Sequence, residues 1–124
     1  MTTNQAATIL DSFYAAVLAR DLAKARTYLA DDMVFVGLFE TYHDADHYMT
    51  TFTGLLQITE RIDIKVVVGD ASNAAIFFDL VTTAPISATT LVAEWHEVRD
   101  GKIVRAHSAF DGRPFAAMFA GAGQ

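Results

Sequence analysis

The chain has no cysteine and only two prolines in 124 residues, and it is short of positive charge, with nine Lys and Arg against fifteen Asp and Glu. Without cysteine there are no disulfides, no thiolate metal ligands and no cysteine nucleophile. A net charge of −6 with no basic cluster argues against nucleic acid and against anionic membrane as partners. Apolar runs such as Ala74-Ala75-Ile76-Phe77-Phe78 fall far short of the roughly 20 residues that cross a bilayer. The opening MTTNQAATILDSFY carries neither a basic run nor a long apolar stretch, so no secretory leader is expected and the expected location is cytoplasmic. What the chain does have is apolar side chain. Hydrophobic residues make up 52%, ample for one core, and the length suits a single domain over residues 1–124.

The apolar pattern divides the chain into two halves. Ala6, Ile9, Leu10, Phe13 and Val17 recur at spacings of three and four, the signature of a first helix. Thr2 and Gln5 have capping-box spacing, which predicts its start near Thr3. Asp21 reads as the N-cap of a short second helix ended by Asp31-Asp32. Met33 to Leu38 is a strand-length apolar run, and Asp44 caps a third helix whose apolar side holds Tyr48, Phe52, Leu55 and Leu56.

From Ile58 the period becomes two. Ile58, Ile62, Ile64, Val66 and Val68 predict a strand with one apolar face, and Asp70 to Asn73 a turn. Further strands follow at about 74–82, 89–99 and 102–110, the last two joined by the tight turn signal Asp100-Gly101. Asp111-Gly112-Arg113-Pro114 then introduces a short helical turn, with Asp111 as its N-cap. Helices first and antiparallel strands afterwards define an α+β domain with helices on one face of a sheet. The strand at 74–82 is apolar on both sides, with Ile76, Phe78 and Leu80 on one and Ala75, Phe77 and Val81 on the other. Its second face therefore calls for a cover, and a homodimer is the expectation.

This order of elements resembles the nuclear-transport-factor-two-like superfamily, and within it the SnoaL-like branch of polyketide cyclases and ketosteroid isomerase relatives. The segments that carry the resemblance are Ala30-Asp31-Asp32-Met33-Val34-Phe35, the hairpin Glu94 to Val104, and Phe110-Asp111. The resemblance implies a cone-shaped, curved antiparallel sheet wrapped around three N-terminal helices and enclosing an apolar pocket. It also implies dimers formed through the convex sheet face. Of the residues ketosteroid isomerases use, Phe13 stands where they place a tyrosine, and Tyr14 lies about 100° further round the helix. Gly37 stands at their base, while Glu94 matches their fourth-strand acid. Against the limonene-epoxide-hydrolase pattern, Ser108 takes the place of an aspartate, and Phe77 with Asp79 that of an Arg and Asp pair. Neither set is complete.

Glu94 and His96 share one face of their strand and could move protons between them. Local pattern alone favours the opposite arrangement, with Leu91, Ala93 and Trp95 inside and Glu94 and His96 in water. The resemblance turns Glu94 inward. Asp79, in an otherwise apolar strand, becomes a second acid beside Glu94 if the hairpin register allows, and a one-residue slip sends it to the other face. The candidate catalytic residues are thus Glu94, His96 and Asp79, and the candidate pocket residues Phe13, Tyr14, Phe35, Phe52, Phe78, Ser108 and Phe110. His43 and His47 have the i, i+4 spacing of two ligands but lack the HExxH pattern, so they read as solvated and no metal is expected. Tyr42 and His43 could rim the pocket mouth, and His107 should face away from Ser108.

Two functions fit these residues. One is cofactor-free acid/base chemistry, such as isomerisation, cyclisation, hydration or dehydration, on a hydrophobic, carbonyl-bearing or polycyclic small molecule. The other is a non-catalytic dimeric module that binds a ligand or serves as a scaffold.

Overall fold

The computed structural model describes residues 5–117. Helix α1 (Gln5–Leu18) is followed by α2 (Leu22–Arg26), β1 (Leu29–Val36), β2 (Thr41–Tyr42) and α3 (Ala45–Gln57). Four long strands complete the chain: β3 (Thr59–Gly69), β4 (Asn73–Thr82), β5 (Ala88–Arg99) and β6 (Lys102–Ala109), with a 3₁₀ turn at Arg113–Phe115. Six strands form one curved, unclosed sheet in the order β2-β1-β6-β5-β4-β3. Every pair is antiparallel except β1 with β6, which run parallel.

The caps sit where side-chain chemistry places them. Asp21 accepts from the Lys24 amide at 3.1 Å and Asp44 from the His47 amide at 2.7 Å, starting α2 and α3. Thr2 and Thr3 lie outside the described residues. Helix α1 ends in a Schellman arrangement, with Asp21 N–H donating to Ala16 O and Arg20 N–H to Val17 O, both at 2.9 Å. Arg20 takes the left-handed position usually given to glycine, at φ 59°. Its guanidinium then donates to the carbonyls of Leu56 in the last turn of α3 and of Thr59 at the start of β3. Asp100 and Gly101, both at positive φ, turn β5 into β6. Asp111 holds the amide and guanidinium of Arg113, which lowers its carboxyl pKa to about 2, while Gly112 occupies the N-cap position.

Two strands differ from the pattern-based expectation. Asp31 and Asp32 do not terminate α2; they lie within β1, where the pairing with β6 slips between Leu29 and Val34 and leaves both aspartates exposed. The slip is held outside the sheet by Arg26, whose guanidinium pairs with Asp31 at 2.7 Å and Asp46 at 2.9 Å. In β3 the alternating set Ile62, Ile64, Val66, Val68 does not stay on one face. A register shift between Ile64 and Val66 sets Val67 opposite buried Ile76 and turns Val66 and Val68 outward.

Helix α1 packs across β3 to β6, and α3 lies against β1, β2 and β3, so the core fills the concave side of the sheet. The other face, carrying Val66, Val68, Phe77, Leu91 and Trp95, is exposed.

Candidate functional site

Between the concave sheet and α3 lies a cavity of about 400 Å³. Strand residues Phe35, Phe78, Leu80, Val92, Glu94 and Ser108 form one wall, and Tyr48, Thr51, Phe52 and Leu55 of α3 the other. The 37–40 loop, Tyr42, Phe110 and Phe115 complete it. Among the described residues no lysine, arginine or histidine lines it, and the acidic side chains on its walls are Glu94 and Glu40.

Glu94 is buried at 7% exposure and His96 at 2%, whereas Leu91 and Trp95 on the opposite face are 58% and 50% exposed. The inward direction implied by the resemblance is therefore the one adopted, and the local pattern of Leu91, Ala93 and Trp95 misled. The reason lies in the register. Glu94 pairs with Ile76 on one side and Ser108 on the other, residues that face α1 and the cavity.

Two donors converge on a single oxygen of Glu94. The Tyr14 hydroxyl donates to Oε1 at 2.6 Å, and His96 Nε2 lies 2.9 Å from the same atom. His96 Nδ1 is buried with no partner among the described residues. A proton there would be a stranded donor, so the network assigns the ring proton to Nε2, donating to Glu94. Burial, reinforced by the adjacent Glu94, raises the Tyr14 pKa well above its ordinary value and keeps the phenol a donor. No described residue hydrogen-bonds Oε2, and Glu94 is among the residues that line the cavity. The carboxyl is thus anchored by one oxygen and available through the other.

Several expected site residues sit elsewhere. Asp79 does not join Glu94: it pairs with Leu91 on the convex face, and Lys65 Nζ lies 3.1 Å from its carboxylate. The β4–β5 register sets Asp79 and Glu94 three residues apart along β4, hence on opposite faces. Phe13 is sealed in the core rather than lining the cavity, stacked on Phe52 with centroids 6.4 Å apart. Tyr14, the neighbour that helix geometry set aside, is the aromatic of α1 that reaches Glu94, and it stands behind the carboxyl rather than on the cavity wall. Phe35, Phe52, Phe78, Ser108 and Phe110 do line the cavity. Tyr42 is one of the lining residues; His43 is exposed and not part of the lining. His47 is exposed, 3.7 Å from the Glu40 carboxylate and edge-on to Tyr42. His107 stands opposite Trp95 on the convex side. Among the described residues no three His, Asp or Glu side chains gather as a metal site requires.

Sequence reading missed Tyr48, Thr51, Leu80, Val92 and Phe115 as cavity residues. For Tyr48 a signal existed: a phenol on the apolar stripe of α3, one turn before Phe52, has to place its hydroxyl somewhere.

Residues 10–106 match the family model of the SnoaL-like domain. No curated protein matches the sequence. Among solved structures, a protein from Kribbella flavida superposes with a TM-score of 0.82 at 22% identity, covering 94% of each chain. An LEH-like epoxide hydrolase of M. tuberculosis gives 0.74 at 20% identity, over 98% of this chain and 94% of that one. TerC, co-crystallised with polyporic acid, gives 0.74 at 15% identity over 91% and 96%. Identities this low speak to the fold alone, and the fold hosts more than one chemistry. The family match spans most of the chain, and the chain belongs to the SnoaL-like family.

Proposed function

We propose that the cavity binds an uncharged, largely apolar small molecule and that Glu94 moves a proton on it without a cofactor. The observation that carries this reading is the Glu94 carboxyl set in the wall of an aromatic cavity, with Oε1 tied to Tyr14 and His96 and Oε2 free of protein partners among the described residues. An anionic ligand would meet Glu94 and Glu40 with no cation among the described lining residues to offset them, which favours a neutral one. A carbonyl compound suits the site. Oε2 takes a proton from the carbon beside the carbonyl, the C–H pair becomes a C=C bond, and the carbonyl π pair moves to oxygen. Return of the proton at the same or a conjugated carbon restores the carbonyl, with nothing oxidised or reduced. His96 and Tyr14 act here as positioning residues.

The rival reading, a binding or scaffold module, draws on one specific observation: Asp79 faces away, so Glu94 has no second acid beside it from β4. Both readings are tested by adding polycyclic ketones in deuterium oxide and following ligand binding and loss of α-proton signals by NMR. Acid/base chemistry requires exchange in wild type and a fall of about 10²–10⁴-fold in Glu94→Gln with binding retained. Binding with no exchange in either protein establishes the module instead. No binding at all sinks the enzyme and ligand-binding readings and leaves the scaffold.

The convex face extends the proposal to a homodimer. Phe77, Leu91 and Trp95 are exposed side by side on β4 and β5, an apolar surface that a second copy would cover.

A further inference from the structure

Tyr14 stands behind the acid, and Tyr42 and Tyr48 line the cavity. Tyr14 donates to Glu94, and the Tyr42 hydroxyl lies against the Thr51 side chain. Tyr48 is different. It is only 5% exposed, and its hydroxyl has no hydrogen-bond partner among the described residues. A phenol buried to that degree ordinarily finds one. Nor is the hydroxyl sealed off: the single buried side-chain polar atom left unpartnered among the described residues is His96 Nδ1. Tyr48 lines the cavity, so the open space its hydroxyl meets is the space a ligand would fill.

The ring cannot turn away. It is sandwiched between Phe35, with centroids 4.4 Å apart and planes inclined by 23°, and Phe52, at 5.5 Å and 15°. A donor on a locked ring is preorganised, so little rotamer freedom is lost when it is used. Burial, with the nearby Glu94 charge adding to it, raises the phenol's pKa well above its ordinary value. The group therefore stays protonated and offers a hydrogen rather than a negative charge.

We propose that Tyr48 is the ligand-recognition residue of the cavity, its hydroxyl donating a hydrogen bond from the α3 wall to a carbonyl oxygen of a planar, aromatic or polycyclic ketone. This rests on the reading of the cavity as a site for a neutral carbonyl compound, and it adds a second polar point to Glu94 on the sheet wall. The flat rings of Phe35, Tyr48 and Phe52 favour a flat ligand lying beside them. An unpaired Tyr48 hydroxyl would in turn penalise a pure hydrocarbon of the same shape.

The test uses two probes of nearly equal shape, 2-acetylnaphthalene and 2-ethylnaphthalene, titrated into the full-length ¹⁵N-labelled protein. Tyr48→Phe should weaken the ketone by about 2–10-fold, the worth of one neutral hydrogen bond, while the hydrocarbon, relieved of the unpaired hydroxyl, binds as well as before or more tightly. Hydrocarbon binding that is kept or strengthened also shows that the variant keeps its fold. Ketone affinity untouched by Tyr48→Phe, or both probes weakened alike, overturns the assignment. Loss of ketone affinity in Ser108→Ala but not in Tyr48→Phe overturns it in favour of Ser108. The infrared carbonyl band of bound ketone provides a reading on wild type alone: it should lie below its position in hexane, and an unshifted band overturns the proposal. If wild type binds neither probe, the neutral-ligand reading of the cavity fails first and takes this inference with it. If wild type binds the ketone and only the Tyr48 effect is missing, that reading stands without Tyr48.

Discussion

Three side chains, Tyr14, Glu94 and His96, make a small polar cluster inside an apolar core, and each contact can be weighed. The 2.6 Å bond from Tyr14 to Glu94 Oε1 is long-range in sequence and buried, so it ties α1 to β5. Tyr14→Phe removes the donor at almost constant shape and leaves Oε1 with His96 alone. The expected cost is about 1–3 kcal/mol, read as a lower urea midpoint at pH 7 with unchanged slope. The same cluster sets a response to alkali. Both Tyr14 and Tyr48 are raised by burial first and Glu94 second, so the folded protein holds two protons that the unfolded chain releases near pH 10. Stability from these phenols is present below that pH and is lost as pH rises beyond it, at roughly 1.4 kcal/mol per pH unit for each. Between pH 9 and 11.5 the urea midpoint of wild type should fall more steeply than that of Tyr14→Phe. Parallel curves would show that the Tyr14 phenol is not held protonated. At this scale the sequence was half legible. It offered Glu94 and His96 on one face, while the partner that completes the cluster came from α1 and could be assigned only by the helix's rotation against the sheet. Asp79 failed for a related reason, since its direction depends on hairpin register, and a shift of one residue moves a side chain across the sheet.

Among the elements, two glycines separate tight packing from open space. A Cβ on Gly69 would stand 2.6 Å from the Asn73 carbonyl oxygen and 3.0 Å from the Ala74 Cα, both backbone. That close approach lets Asp70 close the turn: its amide donates to Asn73 O, and its carboxylate accepts from the Ser72 and Asn73 amides. The Asp70 carbonyl in turn accepts from Ala6 N–H at the start of α1. Gly69→Ala should cost about 1–3 kcal/mol by overpacking. A Cβ on Gly54, inside α3, meets nothing within 4 Å among the described residues, so Gly54→Ala should gain up to about 1 kcal/mol from helix propensity while narrowing the cavity it lines. Thermal unfolding of the two variants checks the opposite signs; a stabilising Gly69→Ala or a destabilising Gly54→Ala would refute the respective argument. The capped helices and the Asp100-Gly101 turn were readable because their determinants lie within a few residues. The slips in β1 and β3 were not, because a bulge is decided by what the neighbouring strand and helices demand. Val67 turns in to meet Ile76, and no local period announces that.

For the molecule as a whole, the sheet separates two environments that the alternating strands foreshadowed but did not rank. The concave side holds the helices, the cavity and Glu94; the convex side holds Phe77, Leu91, Trp95, Val66 and Val68 in the open. Polar groups share that face: Asp79 is paired with Lys65, and the Trp95 indole donates to Asn73 at 3.0 Å. Contiguous apolar surface on neighbouring strands is what an isologous interface is made from, each copy presenting the same patch to the other. Sedimentation at micromolar concentration should therefore give a dimer, and Leu91→Glu with Trp95→Glu should convert it to a monomer, because four carboxylates would be forced together across the two-fold axis. The substitutions lie on the face opposite the cavity, so probe binding by the double variant should survive within a few-fold. A wild-type monomer at that concentration would refute the dimer outright. A monomeric variant that no longer binds would mean instead that pairing through the convex face holds the curvature of the sheet, and with it the cavity, in shape.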